Sequence, residues 1–175
     1  VLILGKLIFL SIFKLENSYN LYFEPKKELS KKKYYKINTY KAVNDENIAL
    51  NDLEELLYSA IEKRLISSPS TLLSGGVDSS LISSIYTKIS GRKIDTFSIG
   101  YNEYKNYCEL QYATITSNHI NSNHHEIIID KKNYIDSFYN TLEFFAEPHG
   151  DSAAVPLNFL LKNVKDFGVN SLLSG

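Results

Sequence analysis

The chain has 175 residues and a mass of 19.9 kDa, with 43% hydrophobic residues, 22% charged residues and a net charge of -1. That length suits about one domain's worth of buried core. The near-neutral balance excludes a global electrostatic pull towards nucleic acid or a membrane surface. A single cysteine, Cys108, excludes an intrachain disulfide and reads as an ordinary thiol.

The chain opens on VLILGKLIFLSIF, 13 residues with Lys6 inside them. This is short of the ~20 residues needed to span a bilayer, and no small-residue cleavage pattern follows it, so it predicts buried strands. Residues 1 to about 42 read as β-structure, with Pro25 and KKELSKKKYYK as a polar connection. Six lysines fall between Lys26 and Lys36, beside Tyr34 and Tyr35. Basic residues with interleaved aromatics suit nucleic acid, but a solvated turn accounts for them too, and no nucleic-acid partner is expected. Methionine is absent, and the chain stops at SLLSG directly after an apolar run. Both features are read as those of an internal fragment of something longer.

Asn44 and Asp45 are candidate caps for a helix whose apolar face is Leu53, Leu56, Leu57, Ala60, Ile61 and Leu65. SSPS ends it. TLL predicts a short strand, and Leu81, Ile82, Ile85 and Ile89 predict one face of the helix behind it. IDTFSIGY predicts a second strand, followed by a polar helix from about Glu109 to His119, and HHEIIID a third. A helix around Tyr134 to Phe145 leads into the loop AEPHGDSAA. Leu157, Leu160, Leu161, Val164 and Phe167 predict another helix with Gly168 at its C-terminal cap, and NSLLSG predicts a fourth strand. Strands alternating with helices imply an α/β fold with a doubly wound parallel sheet.

Ligands of open parallel sheets bind beyond the carboxyl ends of the strands. Here those ends carry SGGVDSS, SIGY and SG. No G-x-x-x-x-G-K-[ST] loop is present, so no lysine reaches an outer phosphate, and no G-x-G-x-x-G follows a strand. In SGGVDSS, Gly75 and Gly76 offer amides and Ser74, Ser79 and Ser80 offer hydroxyls, with a helix start directly behind. Those donors fit a tetrahedral anion such as pyrophosphate. Asp78 would repel that anion unless a divalent cation lay between them, and Mg2+ is the cation that bridges carboxylate and phosphate. The competing reading is a polar turn in which Asp78 and Ser79 merely cap a helix.

Serine-glycine-glycine-x-aspartate-serine after a strand resembles the loop of the PP-loop, or N-type, ATP pyrophosphatases. TLLSGGVDSSLISSI, IDTFSIGY, NHHEIIID, AEPHGDSAAVP and the terminal LLSG together resemble, in order, the synthetase domain of the glutamine-hydrolysing asparagine synthetases. The resemblance implies an α/β domain of the adenine-nucleotide α-hydrolase type over 43–175, cut short. It implies the C-terminal end of an Ntn-type glutaminase domain over 1–42. ATP and Mg2+ are the implied cofactors, and aspartate and glutamine-derived ammonia the implied partners. A cytoplasmic setting without a membrane is expected, and a homodimer is compatible with it. By position, Leu72 and Ile99 would contact adenosine, Ser174 and Gly175 would contact ATP, and Ser74, Gly75, Gly76, Asp78 and Ser79 would hold pyrophosphate, Asp78 through the metal. The family's acidic glycine run, catalytic lysine and N-terminal cysteine are expected outside these 175 residues, so no residue here is assigned as catalytic. Another PP-loop adenylating enzyme, such as an NAD-synthetase-like or tRNA-modifying one, and a non-catalytic nucleotide-binding relative are the alternatives.

Glu147 and Asp151 lie in a loop that could face the substrate, the family placing an acid near Glu147 by the amino group of aspartate; a plain connecting loop is the competing reading. His124, His125 and Glu126 suggest a metal pair only superficially, because adjacent strand residues face opposite sides of a sheet.

Overall fold

The structure, a computed structural model, describes residues 13–38, 45–103, 108–145 and 150–175. The opening apolar run up to residue 12 and the candidate cap Asn44 lie outside them, and so does Glu147. The chain divides into two units, Val1–Asn44 and Asp45–Gly175.

In the first unit, β1 (Tyr19–Tyr22) and β2 (Ser30–Lys33) form an antiparallel hairpin, with Tyr19 opposite Lys33 and Tyr22 opposite Ser30. Lys31, Lys32 and Lys33 therefore lie in a strand, not in the expected turn. Lys31 pairs with Glu16 at 2.7 Å, and the ammonium groups of Lys31 and Lys33 sit 5.9 and 5.6 Å from the Tyr19 ring centre.

The second unit alternates helices with parallel strands. Helix α1 (Glu46–Glu62) starts where the Asp45 carboxylate accepts the N–H groups of Asn47 and Ile48, at 2.9 and 3.3 Å. After a 3-10 turn come β3 (Ser70–Leu72), α2 (Val77–Ser90), β4 (Asp95–Tyr101), α3 (Leu110–His119) and β5 (Asn123–Ile129). Helix α4 (Lys131–Phe144), α5 (Ala154–Asp166) and β6 (Leu172–Leu173) complete it. Gly91 and Gly168 end α2 and α5 at positive φ (61° and 75°), as capping glycines do.

The sheet order is β5-β4-β3-β6, all neighbours parallel. Its two faces are covered by different helices, which makes it doubly wound. On one face Thr71 accepts a 2.9 Å hydrogen bond from the buried Ser83 hydroxyl of α2, and Ile85, Tyr86, Ile94 and Ile120 pack with Ile61 of α1. On the other, Phe97 packs with Leu160 and Val164 of α5, joined by Leu72, Ile99 and Leu172. Burying each such side chain contributes about 1.5–3 kcal/mol.

Three apolar faces differ from expectation in part. Along α2 the expected face holds at Ile82, Ile85 and Ile89, which pack with Ile61, whereas Leu81, about 160° round the helix from Ser83, is 42% exposed, and Ser79, Ser83 and Tyr86 are buried in addition. The small serines let the helix lie close to the strands. In α1 only Ile61 is fully buried; Leu53 and Leu56 are exposed because α2 is met chiefly through the second half of the helix, at Leu57, Tyr58 and Ile61. In α5, Leu157 and Leu161 are likewise half-exposed, and Phe167 caps the helix and packs edge-on against Phe97.

The two adjacent histidines of β5 face opposite ways. The Nδ1 of His124 lies 2.9 Å from the Thr96 hydroxyl on one side, whereas His125 stacks on Phe97 and meets Asp95 at 3.0 Å on the other. Side chains directed to opposite faces do not converge on one point, and among the described residues no group of three or more His, Cys, Asp or Glu is placed to hold an ion. His124 Nε2 is buried without a hydrogen-bond partner, so burial pushes this imidazole below its usual range, against the weaker upward pull of Glu126. The unfolded chain takes up a proton near pH 6.5 that the folded chain resists. Stability is therefore complete above that pH and falls as pH drops below it. Denaturant titrations from pH 7.5 to 5 are expected to show this loss in the wild type and a shallower one in His124→Gln; equal slopes would contradict the assignment.

Candidate functional site

The sheet order fixes where a ligand can sit. Strand order reverses between β3 and β6, and a crevice opens there at the carboxyl ends of the strands. A cleft of about 850 Å³ occupies this position. Leu72, Phe97, Ile99, Pro156, Leu157 and Leu160 give it an apolar lining, and Ser74, Ser79, Ser174 and Gly175 bring polar groups to it.

The loop that carries Ser74 and Ser79 has definite local causes. Gly75 adopts φ +86°, and a Cβ there would lie 2.6 Å from the Ala113 nitrogen and the Tyr112 Cβ of α3. Only glycine fits that left-handed, crowded position. The Ser79 hydroxyl is 2.9 Å from Ser74 Oγ, accepts the Ser74 N–H at 3.2 Å and reaches the Gly76 carbonyl at 3.2 Å, while the Gly76 N–H donates to Ser74 Oγ. Ser74 and Ser79 thus brace the loop across its mouth. The start of α2 has no side-chain cap, so its first-turn N–H groups remain available to an anion. Gly175 approaches so closely that a Cβ would stand 2.7 Å from the Ser79 nitrogen and 2.9 Å from the Asp78 carbonyl carbon.

The site residues expected from sequence divide into three groups. Leu72, Ser74, Ser79, Ile99, Ser174 and Gly175 line the cleft together. Gly75, Gly76 and Asp78 belong to the same loop and helix start but do not line its wall. Asp78, on the exposed first turn of α2, has no hydrogen-bond or ion-pair partner among the described residues and caps nothing. The polar-turn reading of Asp78 as a cap is not what the chain adopts. Asp151 stands apart: its carboxylate accepts the Ala153 N–H at 2.9 Å in the turn entering α5, while Ser152 and Ala153 line the cleft in its place. Ser80 turns away from the loop to Thr116 of α3 at 3.1 Å.

Sequence reasoning missed Tyr101, Glu109 and Tyr134, which also line the cleft. Tyr101 was findable, because it is two residues beyond Ile99 on one strand and so shares its face. Burial raises its phenol above the usual range, and Tyr134, Cys108 and Glu109 add to this. It stays neutral across the physiological range.

A doubly wound parallel sheet with a lysine-free glycine-serine loop and an uncapped helix at its switch point defines an α/β domain of nucleotide-binding type. The chain belongs to the asparagine synthase family, whose description, Asparagine synthase, it matches over residues 52–175. It is 30% identical over 174 residues to a protein of Methanocaldococcus jannaschii named a putative glutamine-hydrolyzing asparagine synthetase 2, covering 96% of this chain and 33% of that one. It is 27% identical over 164 residues to glutamine-hydrolyzing asparagine synthetase 1 of Bacillus subtilis, covering 93% and 26%. The chain thus spans about a third or less of the relatives it matches. Among solved structures, the NMN synthetase of Francisella tularensis aligns at 20% identity with a TM-score of 0.40 over 55% of this chain and 41% of that one, a likeness too slight to bear on fold or ligand.

Proposed function

We propose that this chain carries the ATP site of an enzyme that amidates aspartate to asparagine. A side-chain carboxylate oxygen of aspartate attacks the α-phosphorus of ATP, and the bond from that phosphorus to the β-bridging oxygen breaks. Pyrophosphate leaves and β-aspartyl-AMP forms. Ammonia derived from glutamine then attacks the acyl carbon, releasing AMP and asparagine. The observation that carries this reading is the braced loop at the switch point, whose uncapped helix start adjoins a cleft with a largely apolar lining. Adenine suits the span between Leu72, Ile99 and Pro156, and the phosphates suit Ser74, Ser79, Ser174 and Gly175. Gly75 and Gly76 bring the backbone close, and preorganised N–H donors stabilise the charge of a departing pyrophosphate.

The unpartnered carboxylate of Asp78, whose backbone lies against Gly175, fits Mg2+, which takes one or two protein carboxylates together with phosphate oxygens. When bound there, the metal would neutralise phosphate charge. Glu147 and Asp151 remain as proposed contacts of the acceptor acid. The hairpin unit before Asp45 we read as the closing part of a glutaminase domain that supplies the ammonia. Among the described residues no helix is long and apolar enough to cross a membrane, and dependence on ATP is the reason to propose a cytoplasmic setting.

The full protein supplied with Mg·ATP, ammonium and aspartate is expected to form AMP, pyrophosphate and asparagine in equal amounts, with none formed when aspartate is withheld. Formation of ADP and phosphate instead would overturn the reading.

A further inference from the structure

We infer that Glu109 receives the sugar hydroxyls of the bound nucleotide, with Tyr101 beside it. This deepens the proposed reading of the cleft as an ATP site and rests on it. Glu109 is the one charged side chain on the cleft wall among the described residues. It is exposed, its side chain does not cap α3, and its carboxylate has no ion-pair or hydrogen-bond partner among the described residues. A carboxylate facing a nucleotide cleft with no partner of its own can only accept hydrogen bonds, so it repels phosphate and favours hydroxyl or amine donors.

Its position selects between those donors. Glu109 begins the helix whose next turn, Tyr112 and Ala113, lies hard against Gly75 of the loop. It lines the same cleft as Tyr101, at the end of β4. Glu109 thus shares one cleft wall with Ser74 and Ser79 of the loop, which suit the phosphates, and with Leu72 and Ile99, which suit the base. In a nucleotide the group between phosphate and base is the ribose. Two vicinal hydroxyls can donate to the two oxygens of one carboxylate, and the Tyr101 phenol, kept protonated, can donate to a hydroxyl oxygen. The same chemistry holds ribose in dinucleotide folds, where an acid about 20 residues beyond the glycine-rich turn takes the 2′-hydroxyl.

The test is equilibrium binding of Mg·ATP, 2′-deoxy-ATP and 3′-deoxy-ATP to the full chain, wild type and Glu109→Ala. The wild type is expected to prefer ATP about tenfold over each deoxy form, the factor of a charge-assisted hydrogen bond at a partly exposed site. Glu109→Ala should bind all three alike, at the wild-type affinity for the deoxy forms, with an unchanged melting temperature. Should that variant not fold, Glu109→Gln, which keeps the helix start and one acceptor oxygen, should show a reduced preference. Discrimination undiminished in the variants would overturn the inference, as would a wild type indifferent to both hydroxyls. A uniform loss with a raised Mg2+ requirement would place the carboxylate at the metal and would also overturn it. Failure of the wild type to bind any of the three would instead remove the ATP-site reading itself.

Discussion

Gly75→Ala is expected to be the most damaging single-atom change in the second unit. Alanine at φ +86° costs about 1–2 kcal/mol for the left-handed conformation. The added Cβ meets backbone and Cβ atoms of α3 at 2.6 Å, too close to be relieved by a side-chain rotation. Overpacking of that kind costs about 1–3 kcal/mol more, giving a loss on the order of 2–5 kcal/mol. For a chain of this size that lowers the melting temperature by roughly 4–20 °C. Relief could come only by moving the loop off α3, which carries the Ser74–Ser79 brace with it, so ATP binding should be lost together with stability. Calorimetry and nucleotide titration on the same preparation check both effects. Wild-type melting and binding in Gly75→Ala would mean that loop and helix do not pack as described.

Asp78→Asn is expected to separate binding from stability in the opposite way. The side chain is exposed and without a partner, so its structural contribution is limited to the favourable placing of an acid in the first turn of α2, about 0.3–1 kcal/mol. Folding should change little. Turnover should fall roughly 10²–10⁴-fold, because charge neutralisation by a metal is worth several kcal/mol in a reaction that releases pyrophosphate. A reversal of sign accompanies this loss. Without Mg2+, the uncharged amide removes a repulsion and ATP should bind more tightly than to the wild type; with Mg2+, it should bind more weakly. Titrations with and without the metal, followed by pyrophosphate release, test the pair. A variant that turns over normally would show that Asp78 is only a solvated acid.

Both expectations concern residues that were conspicuous in the sequence, and the reason is local. Two adjacent glycines followed by an acid and serines satisfy constraints that lie within ten residues: a left-handed turn, a close approach and a helix start. The capping Asp45, the terminating Gly91 and Gly168, and the succession of strands and helices were legible for the same reason, since caps and periodicity are short-range. Apolar periodicity was less faithful. It placed Ile82, Ile85 and Ile89 of α2 in the core correctly, but with them Leu81, which is exposed, and it put Leu53 and Leu56 in a core that the first half of α1 does not meet. Periodicity reports which face is apolar, and whether a neighbour covers that face depends on elements elsewhere in the chain. Asp151 shows the same limit at the site, because an acid near a cleft and an acid closing a turn look alike until the Ala153 N–H is seen to hold it.

The sequence by itself determined the α/β class, the loop that suits phosphate and the carboxylate beside it, because each is written in contiguous residues. Only the tertiary structure decided that β6 pairs with β3, across a gap that joins Ser70 to Leu172. That pairing sets the switch point and brings Gly175 onto the start of α2. No local signal carries such contacts, since they arise from backbone hydrogen bonds between strands about a hundred residues apart, whose partners are chosen by the packing of the whole sheet.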